Sequence, residues 1–238
     1  MMMQTNDIAL QIIRIREHTK DYTSDDEFIA QWTGLSATDV ALRTQQQKSF
    51  VKLVGQVAKD LKGMRILDVG CGDGRWLRWY MELGAHAEDI AGVDVSNARF
   101  DVGRAINPLV SMIQIDDVTL PFADGHFDLV TQWVCFMCIP SFDMRQMVAN
   151  EMVRVLRPGG YIFWWDLPQT YTPSAPSEKL HPVDYFGRLH ITEIRVSAAP
   201  LPSEGVRLLK GLGPVVGRIL DFLGHRPSHI AALIGPKL

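Results

Sequence analysis

Three glycines at two-residue spacing, Gly70, Gly72 and Gly74, follow an apolar run that ends in a carboxylate, Asp68, within the stretch MRILDVGCGDGRWL at residues 64–77. Glycine lacks a Cβ, so the backbone there can turn sharply and approach a ligand closely. Ligand contact is then expected on backbone N–H groups of the turn, that of Cys71 included. The apolar residues before the turn read as a buried strand and those after it as a helix start. Together they have the form of a nucleotide-cofactor site. The spacing is G-x-G-x-G rather than G-x-G-x-x-G, because Arg75 stands where a third glycine lets helix and strand close around a pyrophosphate. A nicotinamide dinucleotide is therefore disfavoured, and an oxidoreductase is a distant reading.

Asp68 sharpens the choice. A carboxylate at that strand end repels a pyrophosphate but attracts a ligand bearing an ammonium and a sulfonium, since opposite charges attract strongly in a partly desolvated cleft. S-adenosylmethionine carries both. At this point the chain resembles the class I S-adenosylmethionine-dependent methyltransferases, whose first motif is a strand followed by D/E-x-G-x-G-x-G. Further motifs follow in family order. The run IAGVDV at residues 90–95 is a second strand ending in Asp94, about 20 residues past the last glycine, where an acid meets ribose hydroxyls in such folds; Val95 follows it. Two carboxylate oxygens match two vicinal hydroxyl donors. The run VSMIQIDDVTLPF at residues 110–122 is similar to the family segment that holds adenine. The resemblance implies Asp116 for the exocyclic amine, with Asp117 and Val118 supplying a backbone donor and an apolar wall. The run FDLVTQW at residues 127–133 looks like the family's fourth strand, which places Gln132 and Trp133 beside the methionine portion. In EMVRVLRPGGYIFWWD, residues 151–166, a helix, a Pro-Gly-Gly stop and a fifth strand follow one another. That run is a structural marker of the family rather than a catalytic element.

The resemblance covers residues 62–166 and implies a Rossmann-like α/β fold. Its sheet is expected to be mostly parallel and seven-stranded, with an antiparallel last strand and helices on both faces. One departure stands out: many small-molecule members carry a histidine a few residues past the fourth strand, and the matching position here is Cys138. No catalytic histidine is carried over to it.

The elements outside this core are expected to serve it. Residues 8–17 and 28–61 look helical, with Thr38 and Asp39 near a helix start and Gly63 at a stop. They are read as a cap over residues 1–61, in which Tyr22, Trp32 and Arg43 are able to line a lid over a domain at 62–238. A Pro/Ser/Thr-rich loop at 167–182 leaves the carboxyl end of the fifth strand, the edge where open α/β sheets bind ligands, and is a substrate-loop candidate. Pro182 suits a short helix at 183–189. Residues 191–198 and 229–235 read as the last strands, the latter inserted antiparallel. Between them, 204–224 has helix-like apolar spacing broken by Pro214, a helical insertion that packs on the sheet or lies on a membrane surface.

Methyl transfer from a sulfonium depends on alignment, and a base is needed only for a weakly acidic hydroxyl or a protonated amine. Asp166, at the fifth strand's end, and His181, in the adjacent loop, are the candidates, with Tyr22 and Tyr171 as alternatives. The expected function is methyl transfer to a small-molecule or sugar acceptor at oxygen, with S-adenosylhomocysteine as product. The alternative is a catalytically silent cofactor-binding subunit acting through a protein partner.

Composition bounds the rest. The 238 residues are 47% hydrophobic with a formal net charge of −3, and the basic residues are scattered. That pattern lacks the footprint of nucleic-acid binding. No run has the length of a membrane span or the shape of a secretion signal, so a soluble, cytoplasmic protein is expected, with a homodimer as one assembly open to it. The three cysteines, Cys71, Cys135 and Cys138, imply reduced thiols, and the C-x-x-C pair lacks the second pair that a zinc site calls for, so no metal is expected.

Overall fold

The computed structural model describes residues 5–24, 37–96, 100–170, 177–196 and 229–238. Trp32, Tyr171 and the helical insertion expected at 204–224 lie outside them. Seven strands form one sheet in the order β3-β2-β1-β4-β5-β7-β6. They are β1 (Ile66–Val69), β2 (Ile90–Asp94), β3 (Ser111–Gln114), β4 (Phe127–Trp133), β5 (Leu156–Asp166), β6 (Ile191–Val196) and β7 (His229–Ile234). The strands β3, β2, β1, β4 and β5 pair in parallel, and β7 enters antiparallel between β5 and β6. This is the Rossmann-like α/β sheet expected from the motif order. Central strands buried on both faces read as continuous apolar runs, and IAGV in β2 or YIFWW in β5 do so.

Helices cover both faces. The order is α1 (Thr5–Ser24), α2 (Ala37–Val54), α3 (Arg75–Glu82), α4 (Phe100–Ile106), α5 (Phe142–Val155) and α6 (Pro182–Phe186). On α1, Ile8, Ile12 and Ile15 recur at i, i+4 and i+7 and sink into the core shared with Met144, Val148 and Met152 of α5. On the opposite face, Phe50 and Leu53 of α2 join Trp76, Leu77 and Tyr80 of α3. Residues set apart in sequence as a cap thus contribute to both cores. Phe50 stacks on Tyr80 and Trp133 with ring centroids 5.7 and 5.9 Å apart.

Helix ends follow local chemistry. Gly74, at φ 69°, opens α3 in a left-handed conformation that a Cβ disfavours. The Ser141 hydroxyl accepts the Met144 N–H at 3.2 Å and caps α5. Pro182 sits in the first turn of α6, as expected, though that helix ends at Phe186. The helix α2 begins at Ala37, close to the Thr38–Asp39 start, and stops at Val54, short of the expected 61. The Pro-Gly-Gly segment falls within the extended β5 instead of forming a separate stop: α5 ends at Val155 and Leu156 is already extended. Gly160 permits this by close approach, since a Cβ there would lie 2.9 Å from the Asp128 carbonyl.

Candidate functional site

The carboxyl ends of β1, β2, β3, β4 and β5 bring most of the motif residues to one edge of the sheet. Gly70, Gly72 and Gly74 all have positive φ, at 77°, 53° and 69°. Their turn is knitted to β2. The Gly70 and Cys71 N–H groups donate to the Val93 carbonyl at 2.8 and 3.0 Å, Gly74 donates to the Cys71 carbonyl, and Gly72 donates to Asp94 Oδ2 at 2.7 Å. These N–H groups hold the turn within the chain, and the glycines serve by letting backbone approach backbone. Close packing beneath the turn shows the same economy of space. A Cβ on Gly70 would lie 2.7 Å from Cys135 Sγ, and one on Gly92 would lie 2.8 Å from Cys71 Sγ. The Cys71 thiol is therefore packed against β2, and burial pushes it well above its ordinary range.

Asp68 lies wholly buried at the end of β1. Its Oδ1 accepts the Thr131 hydroxyl at 2.7 Å, while its Oδ2 is buried with no hydrogen-bond partner among the described residues. A buried acceptor left unsatisfied costs about 1–3 kcal/mol, more for a charged group, so this oxygen is matched to a donor or cation that the described residues do not supply. Burial pushes the Asp68 carboxyl up to about 8; the Thr131 hydroxyl opposes the shift and the Asp94 charge adds to it. Behind Asp68 runs a buried chain: Trp133 Nε1 donates to the Tyr80 hydroxyl at 2.7 Å, and Tyr80 donates to Thr131 at 2.8 Å. Thr131 then donates to Asp68.

Asp94 receives Gly72 N–H on Oδ2 and Ser96 N–H on Oδ1, both at 2.7 Å, which fixes both oxygens at the mouth between β1 and β2. A carboxylate oxygen can accept a hydroxyl beside an N–H. Val95 follows at the rim, its carbonyl accepting Arg16 Nε at 2.6 Å. Past β3, Asp116 is exposed and ion-paired to Arg16. Asp117 folds back on the Val118 N–H at 2.6 Å, and Val118 is buried in the core. The Val118 N–H is thereby occupied within the chain.

The segment after β4 is a strained turn that nothing in the sequence announces. Val134 adopts φ 57°, a region that a β-branched residue enters only under constraint. The constraint is visible. Gln132 donates to the Trp165 carbonyl at 3.3 Å and accepts the Cys135 N–H at 3.0 Å, and Val134 N–H donates to the Trp165 carbonyl at 2.8 Å. Asp166 Oδ2 accepts the Phe136 and Met137 N–H groups at 2.9 and 3.3 Å, and its Oδ1 accepts Leu167 N–H. Gln132 and Asp166 thus fasten the turn between β4 and β5. Burial raises the Asp166 carboxyl to about 8 against those three N–H donors. Arg145, wholly buried on α5, backs the turn from behind through the Ile139 carbonyl and reaches the Tyr185 hydroxyl, both at 2.7 Å, and also pairs with Glu178.

Two predicted site residues are placed elsewhere. Trp133 points into the core beneath α2 and α3, stacked on Trp76 with centroids 3.9 Å apart. His181 caps α6 by accepting Val183 N–H at 3.3 Å and meets Glu193 of β6 at 2.9 Å. Glu193 pairs with Ala232 of β7, which pairs with Trp164 of β5, so His181 stands two strand spacings, about 10 Å, to the side of Asp166's strand. Of the expected lid residues, Tyr22 falls on α1, and Arg43 joins Arg75 on the buried Asp39 carboxylate at 2.9 and 2.8 Å. Arg75 is the first residue of α3, so this pair ties α2 to the glycine turn.

Comparison with known proteins agrees with the geometry. Residues 66–160 match the family described as methyltransferase domain. With the sheet order and the glycine turn, this match makes the segment similar to Rossmann-like methyltransferase domains. Among curated relatives, a demethylmenaquinone methyltransferase of Staphylococcus saprophyticus is 31% identical over 132 residues, 54% of this chain and 55% of that protein. A phthiotriol/phenolphthiotriol dimycocerosates methyltransferase 1 of Mycobacterium ulcerans is 34% identical over 110 residues, 45% and 39% of the two chains. The chain spans about half the length of the first of these and less of the second. Among solved structures, a chain of the complex between the Haloferax volcanii Trm112 methyltransferase activator and the putative methyltransferase aligns with TM-score 0.65 at 15% identity, covering 94% of this chain and 98% of that one. The geranyl diphosphate C-methyltransferase of Streptomyces coelicolor, solved with S-adenosyl-L-homocysteine, aligns with TM-score 0.55 at 16% identity, covering 88% and 83%.

Proposed function

We propose that the protein is an S-adenosylmethionine-dependent methyltransferase acting, at oxygen, on a small molecule with an apolar body. The observation that carries the cofactor reading is the buried, unpartnered Oδ2 of Asp68 beside a glycine turn of positive φ. That oxygen suits a cationic group, Asp94 suits ribose hydroxyls, and Val95, Asp116, Asp117 and Val118 border the base. The bound cofactor supplies a methyl group already activated by its sulfonium leaving group. The chain's own part is alignment and exclusion of water.

The acceptor reading rests on the lip after β4. Its partly exposed residues are Val134, Cys135, Met137, Cys138 and Pro140, with neither a charge nor a hydroxyl among them. A sugar asks for polar partners that this lip lacks. The names of two relatives carry a quinone and a dimycocerosate lipid, which agrees with an apolar acceptor. For proton removal, Asp166 is the residue of the two candidates that adjoins this lip. Its Oδ1 accepts one N–H and keeps a lone pair, and a carboxyl near 8 is matched to a hydroxyl's proton.

The test is calorimetric titration with S-adenosylmethionine and S-adenosylhomocysteine, beside an Asp94→Ala variant, followed by a turnover screen of hydroxylated quinones, lipids and sugars. Micromolar binding weakened at least tenfold in the variant, and turnover confined to apolar acceptors, are expected. Absence of binding by both the wild type and a variant lacking the Arg16 guanidinium overturns the cofactor reading, and turnover on sugars alone overturns the acceptor reading.

A further inference from the structure

The base-binding side of the site is already touched by a residue from the N-terminal helix. Arg16, on α1, donates Nε to the Val95 carbonyl at 2.6 Å and Nη2 to the Ile115 carbonyl at 3.3 Å, and pairs through Nη2 with the Asp116 carboxylate. Val95 follows β2, Ile115 and Asp116 follow β3, and the Ile115 N–H donates to the Asp94 carbonyl at 3.0 Å. One guanidinium therefore spans the gap between two neighbouring strand ends and takes up acceptors on both. A planar group with N–H donors along its edge, lying across that gap, offers the kind of donor that an adenine amine would offer in the proposed seat. Its stem is anchored because Ile12 and Ile15 on the same helix are buried in the core. Gln11 also meets Ser141 of α5, at 2.9 Å.

We propose that Arg16 is an internal competitor for the base seat: its guanidinium fills the place of the adenine edge in the empty protein, and cofactor binding must displace it from Asp116. The inference rests on the proposed cofactor reading and adds a specificity element to it, since only a ligand able to replace the lost hydrogen bonds binds well. The Arg16–Asp116 pair is exposed on the Asp116 side and is by itself weak. The two carbonyl contacts add to what must be broken, so removal of the guanidinium strengthens binding by about tenfold.

Arg16→Met keeps the apolar stem and deletes the guanidinium, and Arg16→Lys keeps a charge without the fork needed to span two strand ends. Calorimetry with S-adenosylhomocysteine and with adenosine, on the full chain, reads the effect. Expected are near-wild-type melting for both variants and about tenfold tighter binding of both ligands by Arg16→Met, with a smaller gain for Arg16→Lys. Equal or weaker binding by Arg16→Met overturns the competitor role and makes Arg16 a bystander or a supporting contact. If wild type binds nothing while Arg16→Met binds, competition is upheld in a stronger form. If neither binds, the cofactor reading itself falls, and the seat with it.

Discussion

Asp68 is held neutral at pH 7 because burial pushes its carboxyl up to about 8. A cation placed against its unpartnered Oδ2 favours the carboxylate. Binding of the proposed cofactor is therefore expected to expel a proton, with affinity rising by up to about tenfold per pH unit until pH 8, where the empty site is already ionised. Titration of the wild type at pH 6.5 and 8 in buffers of different ionisation enthalpy reads that proton. Asp68→Asn is expected to lose both the proton release and at least tenfold in affinity; retained proton release in this variant assigns the linkage to another group. Val134 is the second residue with a sharp consequence. A β-branched residue held at φ 57° costs about 1–3 kcal/mol, and glycine removes that cost while loosening the turn. Val134→Gly is expected to be at least as stable as wild type in urea unfolding yet slower in turnover, and a variant that is both destabilised and fully active refutes the assignment.

At the scale of elements, the Glu151/Arg154 pair of α5 gives the charges of the helix-to-strand run at 151–166 a structural task. Arg154 donates to the Phe122 and Leu120 carbonyls at 2.8 Å and to Glu151 and Asp124, and Glu151 accepts the Leu120 N–H at 2.8 Å. These contacts clamp the segment that returns from β3 to β4, below the loop of Asp116 and Asp117. The partners depress the Glu151 carboxyl and raise the Arg154 guanidinium beyond its already high range. Arg154→Met strands several partly buried acceptors and is expected to cost about 2–3 kcal/mol, read by urea unfolding, with cofactor affinity changed less than threefold in the folded protein. Much of this architecture was legible in residue order. Strands β1, β2, β4 and β5 and the glycine turn followed from apolar runs ending in Asp68, Asp94, Trp133 and Asp166, because buried parallel strands admit little else. The orientation of side chains at those ends was not. Trp133 turns into the core because period-2 alternation sends neighbours to opposite faces, and with Gln132 taken up by the turn, the next side chain finds Tyr80 and Trp76. His181 was read from its pKa class and its loop, but its partner Glu193 lies on a strand 12 residues later, a pairing set by topology. Arg16 and Arg145 carry little local signal, since the partners of Arg16 lie 79 to 100 residues away and the side-chain partners of Arg145 lie 33 and 40 residues away.

Across the whole molecule, the buried carboxyls that poise the site also set its pH dependence. Asp68 and Asp166 both sit at about 8 in the folded protein against 3.8 for the ordinary group. Between those values the native state holds protons that the unfolded chain has released, so stability is fully present below the unfolded value and is lost as pH rises through 8. The slope is up to about 1.4 kcal/mol per pH unit for each group. His229, at the start of β7 and stacked on Trp165, acts in the other direction. Burial lowers its imidazole from 6.5 to about 4, so the native state binds fewer protons than the unfolded chain in that interval, and this contribution to stability falls as pH falls. The His229 slope offsets one carboxyl between pH 4 and 6.5 and vanishes above. From pH 6.5 to 8 the two aspartates act without that opposition. Urea unfolding of the cofactor-free protein is therefore expected to show a loss of roughly 2 kcal/mol or more over this interval, about halved in Asp68→Asn, whose amide oxygen still accepts the Thr131 hydroxyl. Saturating S-adenosylhomocysteine is expected to remove the Asp68 share, because the bound ligand fixes the carboxylate in its charged form. A stability that stays level or rises from pH 6.5 to 8 without ligand would mean that both carboxylates are already ionised, and that some cation of the chain, outside the described residues, satisfies Asp68.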